Sequence, residues 1–173
     1  MKMPPQTPVH TGGASERSEL VLRVANRDDA ELICQFEKTI FSEDPWTPAM
    51  IAEELAAPSS RYTIASLRGR PVGYAGIKVG GDQADVMTVG VLPQARGCGL
   101  GAVLLDEMIA WVSEVGVHSV FLDVRPSNYA ALRLYESRGF VEISRRPRYF
   151  KNPVEEAVEM CLKLGANPAG KRC

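Results

Sequence analysis

The feature that most constrains this chain is a junction at its centre, where an apolar strand runs through a glycine-rich turn into a helix: Val89-Gly90-Val91-Leu92-Pro93-Gln94-Ala95-Arg96-Gly97-Cys98-Gly99-Leu100-Gly101-Ala102. Helix N-termini leave backbone N–H groups unpaired and carry a partial positive charge, and glycines let a diphosphate approach those groups closely. The junction therefore predicts an anion cradle, to which Arg96 can add a charged contact. Two other readings of the same residues are open. Gly97-x-Gly99-x-x-Ala102 also satisfies a dinucleotide-binding fingerprint, with Asp123 at about the expected distance onward. Against it, several residues separate the strand from Gly97, a hairpin precedes the motif, and too little chain follows for a doubly wound sheet. The glycines can also serve only as a tight turn with close helix packing, although Gly97, Gly99 and Gly101 exceed what a turn requires. A Walker phosphate loop is excluded by the missing Gly-Lys-Ser/Thr.

Periodicity organises the rest. Leu20 to Val24 reads as a strand; Asp28-Asp29 open a helix with Ile33, Phe36, Ile40 and Phe41 at helical spacing; Thr47-Pro48 cap a second helix through Ile51 and Leu55. Tyr62 to Leu67 and Val72 to Val79 flank Arg68-Gly69-Arg70-Pro71 as a hairpin, and Ala84 to Val91 is a further strand. Leu100 to Val115 is a long amphipathic helix, Ser119 to Val124 a strand, and Asn128 to Arg138 a helix ended by Gly139. Two strand-like stretches follow, around Val141 to Arg145 and Val158 to Leu164. This order predicts an α/β (α+β) fold, a mixed and mostly antiparallel sheet flanked by about four helices.

A chain of 173 residues, 45% hydrophobic, is expected to form one domain over 19–165, with a disordered leader at 1–18 and a frayed tail at 166–173. A formal net charge of -1 gives no electrostatic case for nucleic acid as a partner. Cys34, Cys98, Cys161 and Cys173 form no C-x-x-C pair, so neither a zinc site nor a disulfide framework is suggested, and no metal is expected. With no signal-peptide core and no long apolar run, the cytoplasm is the expected location and no membrane partner is implied.

Arg96-x-x-Gly99-x-Gly101 at a strand-to-helix junction, with Asn128 and Leu134-Tyr135-Glu136-Ser137-Arg138-Gly139-Phe140 downstream, resembles the GNAT family of acetyltransferases. Pro45-Trp46, the stretch Leu122-Asp123-Val124-Arg125-Pro126-Ser127-Asn128 and the ending Arg146-Pro147-Arg148-Tyr149-Phe150 look like its ribosomal-protein-alanine N-acetyltransferase branch. The resemblance implies acetyl-CoA as co-substrate, with backbone groups of the Val89-Gly90-Val91 strand on the pantetheine arm. It implies Gly97, Cys98, Gly99, Leu100, Gly101 and Ala102 on the pyrophosphate, and Asn128 near the thioester end. It also implies Asp123 as general base and Tyr135 as general acid. The branch usually has glutamate where this chain has Asp123, which withdraws the carboxylate by one methylene and favours a bridging water. The strands ending at Val91 and Val124 are expected to run parallel and to splay apart around the cofactor.

Acetyl transfer to an amine needs a neutral nucleophile, a donor to the thioester carbonyl and a proton for the departing thiolate. Asp123 is a weak base unless assisted, so attracting the ammonium is its larger expected contribution. Tyr135, protonated at neutral pH, can supply the proton. Other roles stay open: Tyr135 as core packing, Asp123 as a partner of Arg125 or a helix cap, Asn128 as an N-cap. Cys98 has no histidine partner, His10 and His118 being elsewhere, so covalent catalysis is not expected.

An α-amine with reference pKa near 8 is about a tenth neutral at pH 7, whereas lysine, near 10.4, is almost wholly charged. A modest base therefore suits an N-terminal amine. Trp46, Tyr149 and Phe150 are candidate walls for a peptide end, with core packing an equal account of Trp46. Arg145, Arg146 and Arg148 form a basic cluster, and Glu155 and Glu156 are candidates to orient an ammonium. The expected acceptor, carried by the resemblance, is the N-terminal alanine of a small-subunit ribosomal protein, for a monomer or weak dimer. A small-molecule amine and a non-catalytic acetyl-CoA-binding module are the alternatives.

Overall fold

The computed structural model describes residues 19–165; the expected leader at 1–18, with His10, and the tail at 166–173, with Cys173, lie outside the described residues. Seven strands form one sheet in the order β1-β2-β3-β4-β5-β7-β6, and the chain divides into two compact units whose boundary runs through β3 and β4.

The first unit comprises 19–76 and 88–105. Strand β1 (Leu20–Val24) pairs antiparallel with β2 (Ser60–Leu67), Leu20 opposite Leu67. Helix α1 (Ala30–Ile40) begins later than Asp28-Asp29 suggested, because Asn26 caps a tight turn over Arg27–Asp29 first. Asn26 Oδ1 accepts the Asp28 N–H at 2.8 Å and Asp29 Oδ2 accepts the Asn26 N–H at 2.9 Å, a reciprocal capping box. Arg23 clasps the same Asp29 carboxylate at 2.8 and 2.5 Å and lowers its pKa, so one side chain ties β1 to the helix start. Helix α2 (Pro48–Ala56) has Pro48 in its first turn and Thr47 Oγ1 accepting the Met50 N–H at 3.3 Å. The apolar faces of α1 and α2 close on the sheet through Ile33, Phe36, Ile51, Tyr62, Ile64 and Tyr74, all buried. Tyr74 comes from β3 (Arg70–Gly80) and stacks on Phe36 at 5.4 Å.

The second unit comprises 77–87 and 106–165. Strand β4 (Gln83–Val91) runs parallel to β5 (Ser119–Val124), as expected, with Gln83–Asp85 paired to Ser119–Phe121. Helix α3 (Leu100–Glu114) buries Met108 and Val112 in this unit, and α4 (Tyr129–Ser137) follows β5. Arg138 holds Asp106 by two bonds of 3.0 Å, fastening the end of α4 to α3. The final strands are longer than the periodicity indicated: β6 (Val141–Lys151) pairs with β7 (Val154–Lys163), which pairs with β5. Pro147 is accommodated because β6 is the edge strand, where a missing N–H breaks no ladder, and because the register shifts between Arg146 and Phe150. No described helix is long and apolar enough to cross a membrane.

Candidate active site

In the first unit, β4 ends in the expected glycine loop. The Leu92 N–H donates to the Val72 carbonyl at 2.8 Å, and Pro93–Ala95 make one tight turn that buries Ala95. Arg96 folds back so that its Nε donates to the Val91 carbonyl at 3.0 Å, joining both ends of the loop. Gly97 and Gly99 have φ of 80° and 77°, the left-handed region that costs an L side chain about 1–2 kcal/mol. A Cβ built on either would meet nothing within 4 Å. These glycines therefore serve the backbone's path and leave open space before it, rather than letting protein parts touch. The Val103 N–H donates to the Gly99 carbonyl at 3.1 Å, so the N–H groups of Leu100, Gly101 and Ala102 precede the helical ladder. Cys98 is exposed, with its thiol 3.9 Å from the Arg96 carbonyl. The arrangement fits an anion of diphosphate type by chemistry and space.

In the second unit, the ladder sets Asp123 of β5 directly opposite Glu159 of β7, an unfavourable like-charge pair in isolation. Arg146 of β6 resolves it: its Nη2 lies 2.5 and 2.6 Å from the two Asp123 oxygens and 3.8 Å from Glu159, and the guanidinium sits 4.8 Å above the Tyr149 ring. Asp123 therefore pairs with Arg146, not Arg125, and caps no helix. Arg125 instead donates to the Asn152 and Pro153 carbonyls, lies 3.3 Å from Glu155, and covers the Phe150 ring at 4.2 Å. The Asp85 carboxyl is raised above its usual value, first because surrounding atoms displace water and then because Asp123 and Glu159 repel its charge. Partial burial and then the Asp123 charge push the Tyr149 phenol up.

Tyr135 lies on α4, 8% exposed, its ring 5.8 Å from Phe140. Burial pushes its phenol up to about 12, and its hydroxyl has no hydrogen-bond partner among the described residues. It is thus both packed and held protonated, which makes the two readings of this residue compatible. Asn128 does cap α4, its Oδ1 accepting the Ala131 N–H at 3.2 Å.

The remaining candidates separate. Trp46 is half-buried against the first unit's core, edge-on to Tyr62 at 6.5 Å, while Tyr149 is 45% exposed. The ammonium-orienting role read for Glu155 and Glu156 meets prior engagements: Glu155 accepts from Ser127 and Arg125, and Glu156 from Arg145. Arg145 also binds Glu142, so two of the three cluster arginines are neutralised in place. His118 lies 3.8 Å from Asp82. Sequence reasoning missed Glu37, a carboxylate only 2% exposed. Its signal was available: a lone acid beside Phe36, on the face that carries Ile33 and Ile40.

The Acetyltransferase (GNAT) family matches this chain over residues 30–140. The N-alpha-acetyltransferase RimI of Mycobacterium tuberculosis is 36% identical over 151 residues, covering 84% of this chain and 94% of that protein. The [ribosomal protein bS18]-alanine N-acetyltransferase of Haemophilus influenzae is 38% identical over 141 residues, 76% of this chain and 94% of that one. Among solved structures, the ribosomal-protein-S18-alanine N-acetyltransferase from Escherichia coli superposes with a TM-score of 0.80 at 26% identity, covering 89% of this chain and 99% of that chain.

Proposed function

This chain belongs to the GNAT family of acetyltransferases, in its RimI-type branch, and from that premise we propose that it acetylates the N-terminal α-amine of a bS18-like ribosomal protein beginning with alanine. The observation that carries this reading is the left-handed pair Gly97 and Gly99 leading into α3 with open space before them. That conformation suits the pyrophosphate of acetyl-CoA, for which the N–H groups from Gly97 to Ala102 are the donors and Arg96 the cation. The strand Val89-Gly90-Val91 would offer its backbone to the pantetheine arm, and Asn128 a polar edge near the thioester. When bound, acetyl-CoA supplies an activated acetyl thioester.

The residues then divide the work. Tyr135 keeps its proton throughout the neutral range, since burial raises it to about 12, and gives that proton to the departing sulfur. Asp123 is clasped by Arg146, and we assign it the electrostatic task of drawing in the ammonium. No base is needed to form the nucleophile, because about a tenth of an α-amine with pKa near 8 is already neutral at pH 7, and the proton its nitrogen sheds as the C–N bond forms and the C–S bond breaks replaces the one Tyr135 gives to the sulfur. Trp46 and Tyr149 are assigned to the walls of the acceptor site, and the reaction to the cytoplasm.

The test is release of CoA from acetyl-CoA with a bS18 N-terminal peptide, the same peptide blocked at its α-amine, and a Tyr135→Phe protein. Turnover only with the free terminus, and a loss of about a hundred- to ten-thousandfold in the variant, is expected. Acetyl-CoA binding without turnover on any peptide would refute the ribosomal acceptor and favour a small-molecule amine or a non-catalytic role.

A further inference from the structure

Glu37 presents a carboxylate sealed in the first unit's core, and the described residues provide it with no cation. Its partners are neutral donors. Oε2 accepts the backbone N–H of Trp46 at 2.8 Å, and Oε1 accepts the Tyr74 hydroxyl. The Thr88 hydroxyl of β4 in turn donates to Tyr74 Oη at 3.3 Å. An apolar side chain of the same volume would be a cheaper core residue, because a buried charge carries a desolvation cost that hydrogen bonds only partly offset. The value of the group therefore lies in what it holds.

It holds two elements unequally. Thr88 belongs to a strand already fixed by its ladder. The stretch from 41 to 47 belongs to no helix or strand. After the Asp44 N–H donates to the Phe41 carbonyl at 3.1 Å, the Trp46 N–H on Glu37 is the bond that anchors it before α2 begins.

We propose that Glu37 is a positioning residue for the acceptor: it sets the main chain at Trp46, and so the wall that Trp46 gives the incoming amine. The proposal rests on the reading of Trp46 given above. Glutamine can keep this geometry. Its carbonyl would accept from Trp46, its amide would donate to Tyr74 Oη, and the Tyr74 and Thr88 hydroxyls would reverse their direction. Methionine fills the space but accepts neither bond.

The experiment compares Glu37→Met, Glu37→Gln and, as a core-destabilised control, Ile33→Val, in steady-state kinetics with the bS18 peptide and acetyl-CoA varied separately. Glu37→Met is expected to raise the peptide KM about tenfold, the scale of one lost charge-assisted hydrogen bond, with the acetyl-CoA KM within about twofold. Glu37→Gln should restore the peptide KM, and Ile33→Val should leave both unchanged. The second readout needs no acceptor: in a Trp111→Phe protein, acrylamide quenching of Trp46 fluorescence should rise in Glu37→Met and return in Glu37→Gln. Should Glu37→Met not fold, Glu37→Asp, which withdraws the acceptor by one methylene, carries the same expectation. Equal changes in both KM values, or unchanged quenching, would overturn the role of Glu37. An inactive wild type with quenching as expected would refute the acceptor assignment alone.

Discussion

Glu37 and Asp123 are both carboxylates held by hydrogen bonds, yet they behave as different chemical objects. Glu37 is sealed among Phe36, Trp46 and Tyr74 and, among the described residues, is met by neutral donors. The Asp123 side chain is 23% exposed and meets a guanidinium that is itself 46% exposed. In the first region the carboxylate is shielded from bulk solvent, so each bond is costly to lose; in the second, solvent screens the ion pair and little stability depends on it. Burial and partner, more than residue type, decide whether an acid holds structure or remains available to a substrate.

Removing each acid's setting is the most direct way to break this contrast. Glu37→Ala leaves two buried donors unpaired and a cavity, and should lower unfolding free energy by about 3–5 kcal/mol, read from a denaturant midpoint at constant slope. High pH tests the sealed interior without mutation. Burial raises the phenols of Tyr62, Tyr74 and Tyr135 above 10, the last to about 12. Unfolded tyrosines ionise near 10 while the folded ones do not, so the stability these groups contribute is complete below pH 10 and falls as pH rises through the folded values. For Tyr135 the loss should reach about 2 kcal/mol near pH 12, followed by tyrosinate absorbance during unfolding.

Asp29 lies between the two extremes, since it both caps and pairs. Asp29→Ala should cost about 1–2 kcal/mol and loosen the start of α1, measurable as faster amide exchange near Ala30. Arg146→Ala should change stability by less than about 1 kcal/mol, and raising the salt concentration should shrink even that difference. A large loss there would mean that the edge strand depends on its charge cluster, and the contrast with Glu37 would fail.

Much of this molecule was legible in local pattern. The spacing of Ile33, Phe36 and Ile40, the Thr47-Pro48 start and the Gly97 to Gly101 run each encode their geometry within a few residues, because capping, helical periodicity and positive φ are short-range properties. The capping box at Asn26 was equally local but was masked by the more conspicuous Asp28-Asp29. The length of β6 was not legible: Arg146-Pro147-Arg148 reads as a break unless its edge position is known. Nor could spacing choose between Arg125 and Arg146 as the partner of Asp123. Arg125 is two residues away but lies past the end of β5, where Asn152, Pro153 and Glu155 engage it, whereas Arg146 arrives through two antiparallel ladders.

The sequence by itself determined the family, the order of elements and the glycine turn, since these rest on residues adjacent in the chain. Tertiary structure alone decided the electrostatics. That neutral donors meet Glu37, that Asp123 is clasped, and that burial raises the Tyr135 phenol all depend on which distant groups are brought within a few ångströms and how far solvent is displaced between them.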